Sequence, residues 1–194
     1  MVRLIALLSL LAGGAALADE SEAGPSKKEK LLADKQARPA VHREEEPPAE
    51  AQRPISLVNV WTREVLPVDP AHRPQEAEID RFLRCHFTNQ ATAMDPRLFD
   101  VAMKAAAKFK SVVVEVVSGF RSPKYNLMLR KKGHAVARES QHPLGHALDF
   151  RLPGLATKRL LSFVRSLHQG GVGYYPHSEF VHADVGPVRF WRGW

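Results

Sequence analysis

Two stretches of the chain alternate apolar and polar residues with the period of two expected of a half-buried strand. From Gly145, His146, Leu148, Phe150 and Leu152 fall on one face and Ala147, Asp149 and Arg151 on the other. In Phe180–Val185, Val181, Ala183 and Val185 point inward, and Phe180, His182 and Asp184 point the opposite way. Val112–Val117 is a dense run of β-branched residues, which predicts an inner strand. Ile55–Trp61 reads as a further strand, with Thr62–Val68 continuing or pairing with it. Helical spacing appears elsewhere. Asp95 and Pro96 form a cap and first position for a helix carrying Leu98, Phe99, Ala102, Met103 and Ala106 on its core side. Ile79 to Phe87 is helix-like, Ser122-Pro123 opens a helix that stops at Gly133, and Thr157 opens another that ends at Gly170-Gly171. The pattern predicts an α+β domain, a small and mainly antiparallel sheet with helices packed against it.

The N-terminal third carries none of this periodicity. Met1–Ala18 has a single Arg3, an apolar run from Leu4 to Leu11, and an Ala16-Leu17-Ala18 ending, the three parts of a secretory signal peptide. The run is too short to span a bilayer as a helix. Export to the periplasm is therefore expected, without stable membrane insertion after cleavage, and no cysteine near residue 18 suggests a lipid anchor. Residues 19–54 are charged and bear prolines, as expected of a disordered linker. The folded domain is expected to span residues 55–194, and a length of 194 residues leaves little for a second core. Charge divides at the same place. Residues 19–54 hold 7 Lys/Arg against 9 Asp/Glu, whereas residues 55–194 hold 20 against 12. A basic exported domain favours anionic wall components over nucleic acid as partners.

The alternation gives the polar faces their chemistry. Asp149 is a carboxylate on a rigid strand, and His142 arrives from the preceding turn. These are two of the three protein ligands that a catalytic zinc normally takes, and His182 completes the set. One zinc per chain is expected. Asp184 shares the face of His182, so it is placed either to take a proton from a bound water or to orient a ligating histidine. His146 falls on the apolar face as an expected core residue, while His134, His168 and His177 lack ligand spacing; His177 and Tyr175 are placed to line a groove. Ser140 is expected to orient the His142 turn. Cys85, the only cysteine, excludes an intrachain disulfide and reads as a small buried hydrophobe.

Ser140-x-His142-x-x-Gly145-x-Ala147-x-Asp149 followed by Phe180-Val181-His182-x-Asp184 resembles the zinc peptidases that cut peptidoglycan. That group takes in lysostaphin-type enzymes and D-alanyl-D-alanine peptidases. Ser118–Pro123, Gly171–Pro176 and Gly186–Trp191 place the likeness nearest the murein endopeptidase branch, over residues 55–194. The resemblance implies a hedgehog-like, D-Ala-D-Ala-peptidase-like fold and a zinc metallopeptidase acting on peptidoglycan stem peptides, which with the signal peptide is expected to be exported and is expected to be a monomer. It also implies that Arg121 lies near the metal, where it would steady a developing oxyanion. For the general base it leaves two carboxylates, Asp184 and Glu179. Glu179 matches the acid three residues before the histidine in related dipeptidases, but on a regular strand it would face the wrong way. Alternatives within the same resemblance are a D,D- or L,D-carboxypeptidase or dipeptidase, and a zinc-bearing wall-binding module without catalysis.

Overall fold

The computed structural model describes residues 54–69, 71–132 and 140–193. The leader, the linker up to residue 53, Gly133, His134 and Trp194 lie outside the described residues. Contacts divide the chain into residues 1–49 and 50–194, and the fold belongs to the second unit. Seven strands form one mixed sheet in the order β2-β1-β3-β4-β6-β5-β7. They are β1 Ile55–Asn59, β2 Val65–Val68, β3 Val113–Ser118, β4 Ala147–Arg151, β5 Gly171–Tyr175, β6 Phe180–Asp184 and β7 Arg189–Arg192. Four neighbouring pairs are antiparallel; β1 with β3 and β5 with β7 are parallel. The architecture is the α+β one expected from the periodicity.

Helices α1 Glu76–Phe82, α2 Pro96–Lys108, α3 Pro123–Lys131 and α4 Thr157–Ser166 accompany the sheet. Asp95 caps α2, its side chain accepting from the Arg97 amide, and Ser122 caps α3 by accepting from the Tyr125 amide. Leu98, Phe99, Ala102, Ala105 and Ala106 of α2 and Leu160 and Val164 of α4 are buried with Val114, Val116, Leu148, Phe150, Val172, Val181 and Ala183 of the sheet. Helices α2 and α4 thus cover one face of the central strands, and the residues alternating with that apolar set point to the other. Helix α1 departs from expectation. It begins at Glu76 and stops at Phe82 instead of running to Phe87, because the Leu83 carbonyl is engaged by the Phe120 amide at 2.7 Å and the following residues form a turn.

Register is what positions the polar face. Asp149 pairs with His182, and Leu148, Phe150, Val181 and Ala183 beside them are 4% exposed or less. A one-residue slip would expel Phe150 and push Asp149 into the apolar core. The first costs about 2–3 kcal/mol of lost burial and the second several more for an unpaired carboxylate, so the register is strongly specified. Between Val116 and Ser118 the β3–β4 ladder shifts register, and Ser118 comes to pair with Asp149. Bulges of this kind re-aim side chains beside sites.

A 3-10 turn, His142–Leu144, precedes β4 and ends at Gly145 with φ 72°. A Cβ at Gly145 would lie 2.2 Å from the Ala93 carbonyl oxygen. Gly145→Ala is expected to lose roughly 1–2 kcal/mol to the left-handed backbone and about 1–3 kcal/mol to overpacking. Urea unfolding checks this; an unchanged midpoint would show that the turn re-forms without the glycine.

Candidate metal centre

His142 enters from the 3-10 turn, Asp149 from the middle of β4 and His182 from the middle of β6, and all three are buried. One ligand atom from each lies within 4.8 Å of the other two. His142 Nε2 stands 3.2 Å from His182 Nδ1 and 3.2 Å from Asp149 Oδ2, while His182 Nδ1 is 2.7 Å from Asp149 Oδ1. Donor atoms about 2.0–2.1 Å from a tetrahedral zinc sit roughly 3.3 Å apart, so the observed spacing is close to that of a metal cage.

The far side of each ring settles which nitrogens face inward. His142 Nδ1 lies 2.7 Å from the Gly119 carbonyl oxygen, which can only accept, so Nδ1 carries the hydrogen and Nε2 presents its lone pair. His182 Nε2 donates to Asp184 Oδ2 at 3.0 Å, which leaves Nδ1 as the inward lone pair. Two imidazole lone pairs and a carboxylate therefore converge, an arrangement that repels itself unless a cation or proton sits among them. The charges agree. Burial would raise the Asp149 carboxyl, but His142 and His182 outweigh it and hold it far below the ordinary carboxylate range. Burial pushes His142 down, whereas for His182 burial is outweighed by the hydrogen bonds to Asp149 and Asp184, which raise it.

Asp184 proves to be fully occupied behind His182. Its Oδ1 accepts from the Gly171 amide at 3.0 Å, the Gly186 amide at 2.9 Å and Arg189 Nη1 at 3.1 Å; Oδ2 accepts from Arg189 Nη2 at 2.7 Å as well as from His182. Burial opposes its charge, but His182, the Gly186 amide and Arg189 outweigh it and bring it down to about 2. A carboxylate at the back of the ring, with every lone pair engaged, is not placed to take a proton at the metal face. Of the two roles weighed for Asp184, general base and orienter of a ligating histidine, these contacts favour the second. Glu179 lies outside the strand, since β6 begins at Phe180, and has φ 55°. It is exposed and lines a cavity with Glu115 and Arg151 that none of the three metal-facing residues shares.

Arg121 reaches the centre. Its Nη2 donates to Asp149 Oδ2 and to Ser118 Oγ, each at 3.3 Å, while its buried Nε has no acceptor among the described residues. His146 corrects another expectation: it is half-buried rather than in the core, because β4 starts one residue later, at Ala147. Cys85 is 1% exposed among core residues, as expected of a small hydrophobe. His177 and Glu179 are exposed on the loop before β6, and Ser140 is partly buried ahead of the His142 turn.

Two contributors escape a reading of the sequence, the Gly119 carbonyl and Arg189, and the fold also pairs Tyr175, expected to line a groove, with Trp191. Trp191 lies 5.1 Å from the His182 ring centroid, and its Nε1 donates to Tyr175 Oη at 3.2 Å. It can sit there because Gly173, opposite it on β5, has no side chain; a Cβ would come within 2.6 Å of the indole. Only the motif ending in Trp191 hinted at this.

Comparison with known proteins agrees with this geometry. Residues 48–191 match the family described as peptidoglycan L,D-endopeptidase MepK. A probable peptidoglycan L,D-endopeptidase MepK of Haemophilus influenzae is 41% identical over 118 residues, which are 60% of this chain and 63% of the relative. The peptidoglycan L,D-endopeptidase MepK of Escherichia coli K12 is 38% identical over 116 residues, 59% of this chain and 64% of the relative. The matched region thus spans less than two thirds of these curated relatives. No solved structure matches the chain. With a family match that takes in every residue of the His142, Asp149 and His182 centre, the chain belongs to the peptidoglycan L,D-endopeptidase MepK family.

Proposed function

We propose that residues 55–194 are the catalytic domain of an exported zinc metallopeptidase that hydrolyses peptide cross-links of peptidoglycan as an endopeptidase. The observation that carries this reading is the convergence of the inward lone pairs of His142 and His182 with the Asp149 carboxylate beside the Arg121 guanidinium. His142, Asp149 and His182 would hold one zinc ion, which supplies a Lewis acid for the scissile carbonyl and a bound water with a pKa near 7.

The protein's own groups do the remaining work. Gly119 and Asp184 hold the two imidazoles in the tautomers that point lone pairs inward. Arg189 and the amides of Gly171 and Gly186 keep Asp184 ionised for that task. Arg121 Nε, a buried donor awaiting an acceptor, is placed to receive a substrate oxygen as charge builds on it. The relatives named as L,D-endopeptidases support a peptidoglycan substrate, and no helix among the described residues is long and apolar enough to cross a membrane.

Digestion of purified sacculi with and without a chelator, read by mass spectrometry of muropeptides, tests the function. Conversion of cross-linked dimers to monomers, abolished by chelator, is expected. Dimers that persist while stems shorten would make the protein a carboxypeptidase, and intact sacculi would make it a binding module. Asp184→Asn is expected to weaken zinc binding about 10- to 100-fold, because the carboxylate acts on the ligand and not on the water. Competition with a coloured chelator measures this; unchanged affinity with lost turnover would restore Asp184 as the base.

A further inference from the structure

The turn that follows β1 carries a tryptophan that the fold fixes in place without burying it. Trp61 is 59% exposed. Its Nε1 nevertheless donates to the Val117 carbonyl at 2.8 Å, and one face of the indole stacks on His86, with ring centroids 4.9 Å apart and planes 14° from parallel. His86 is wedged from behind, since it meets Tyr125 edge to face and Tyr125 stacks in turn on Phe87. A solitary exposed aromatic is ordinary on a protein surface. One whose inner face is covered and whose rotamer is locked has given up side-chain freedom without the return of burial, and its outer face is ready for a ligand.

We propose that Trp61, backed by His86, is a stacking platform for a sugar ring. On the peptidoglycan reading above, the ring belongs to the glycan strand from which the cleaved stem peptide branches. A pyranose turns axial C–H groups, slightly positive, toward one side, and the face of an indole is negative, so the two attract while the hydroxyls at the ring edge stay free to hydrogen-bond. The rim of the platform supplies fixed polar groups for them. Arg84 holds Glu64 in a fork, Nη1 to Oε2 at 2.8 Å and Nη2 to Oε1 at 2.9 Å, its Nε donates to Asn89 Oδ1 at 2.5 Å, and Thr62 Oγ1 donates to Glu64 Oε2 at 3.0 Å. Glu64 Oε1 takes a single donor there and keeps a lone pair for a hydroxyl. A protein partner or a second copy would call for a wide apolar patch; Trp61 is bordered along the turn by Thr62, Arg63 and Glu64 instead.

Register places the platform at a stem's length from the metal centre. Asn59 pairs with Val116 and Ser118 with Asp149, so Trp61, bonded to the Val117 carbonyl, stands level with Asp149. Strand β1 is two strands from β4 in the sheet, about 10 Å at the usual spacing. An extended stem of three or four residues spans about 10–14 Å. A stem leaving a sugar on Trp61 can therefore run past Ser118 and Arg121 and bring its cross-linked end to His142, Asp149 and His182. A cross-linked peptide without its glycan gains nothing from the platform.

The test compares a muropeptide dimer that keeps its disaccharides with the same dimer stripped to its peptides. Trp61→Ala is expected to lower kcat/KM about 10- to 30-fold on the first, as for a buried tryptophan anchor, and to change the second by less than about two-fold. Trp61→Phe, which keeps a smaller face, should recover part of the loss. Equal losses on both substrates, or no loss on either, would overturn the proposal. Calorimetric titration with an oligomer of N-acetylglucosamine reads the platform without turnover: binding that Trp61→Ala abolishes is expected, and absent binding or binding indifferent to Trp61 would overturn it. Trp61-dependent binding by a protein that cuts neither dimer would sink the endopeptidase reading and leave the platform standing. Cleavage of both dimers, equal in wild type and Trp61→Ala, would do the reverse. A dimeric protein dispersed by Trp61→Ala, with sugar binding unchanged, would make this surface a contact between copies of the chain and end the proposal.

Discussion

His182→Ala should reduce bound zinc from about one ion per chain to a small fraction, and peptidoglycan hydrolysis should fall by about 10³-fold or more. The first follows from geometry: His182 Nδ1 is the atom within 3.2 Å of His142 Nε2 and 2.7 Å of Asp149 Oδ1, so its loss leaves a two-sided clamp. The second follows from chemistry, because several kcal/mol of charge stabilisation depart with the ion and each 1.36 kcal/mol is tenfold in rate. The fold should survive, since Asp149 keeps the Arg121 guanidinium and His142 beside it. Elemental analysis together with far-ultraviolet circular dichroism checks both halves. A folded variant that keeps its full zinc would remove His182 from the ligand set.

Arg121→Ala should lower kcat about 10²- to 10³-fold at saturating zinc, with a smaller change in KM, the magnitude typical of losing one donor to a developing oxyanion. The guanidinium spends Nη2 on Asp149 and Ser118, which fixes its plane beside the metal-facing atoms and leaves the buried Nε with no acceptor among the described residues. A substrate oxygen would give that donor a charge-assisted partner. A bracing role predicts something different. If Arg121 served only to hold Asp149, the variant would bind zinc more weakly and regain its rate when zinc is supplied in excess. Full recovery of kcat under excess zinc would therefore exclude the oxyanion role.

Much of the fold was legible because it rests on short-range rules. The β-branched run became β3, the Asp95 and Ser122 caps opened α2 and α3, and the alternation around Asp149 and His182 became β4 and β6 with Leu148, Phe150, Val181 and Ala183 inward. The departures have tertiary causes. Helix α1 stops early because a distant amide, that of Phe120, takes the Leu83 carbonyl. Arg189 and Trp191 were not legible as parts of the site, since only the parallel pairing of β7 with β5 brings them beside Asp184 and His182.

The site divides along the same line. The period of two by itself determined that Asp149, His182 and Asp184 share the face turned away from the helices, because successive side chains on a strand must point to opposite sides. That made the ligand set readable. It does not determine which nitrogen of an imidazole meets which neighbour, for that depends on ring rotation and on hydrogen bonds from elsewhere in the chain. Only the tertiary structure turned His182 Nδ1 toward Asp149 and Nε2 toward Asp184, and only donors from β5, the Gly186 turn and β7 filled the remaining lone pairs of Asp184. A carboxylate one pleat from a ligand can face the metal or stand behind the ring, and the way the fold gathers Gly171, Gly186 and Arg189 around Asp184 decided that it stands behind.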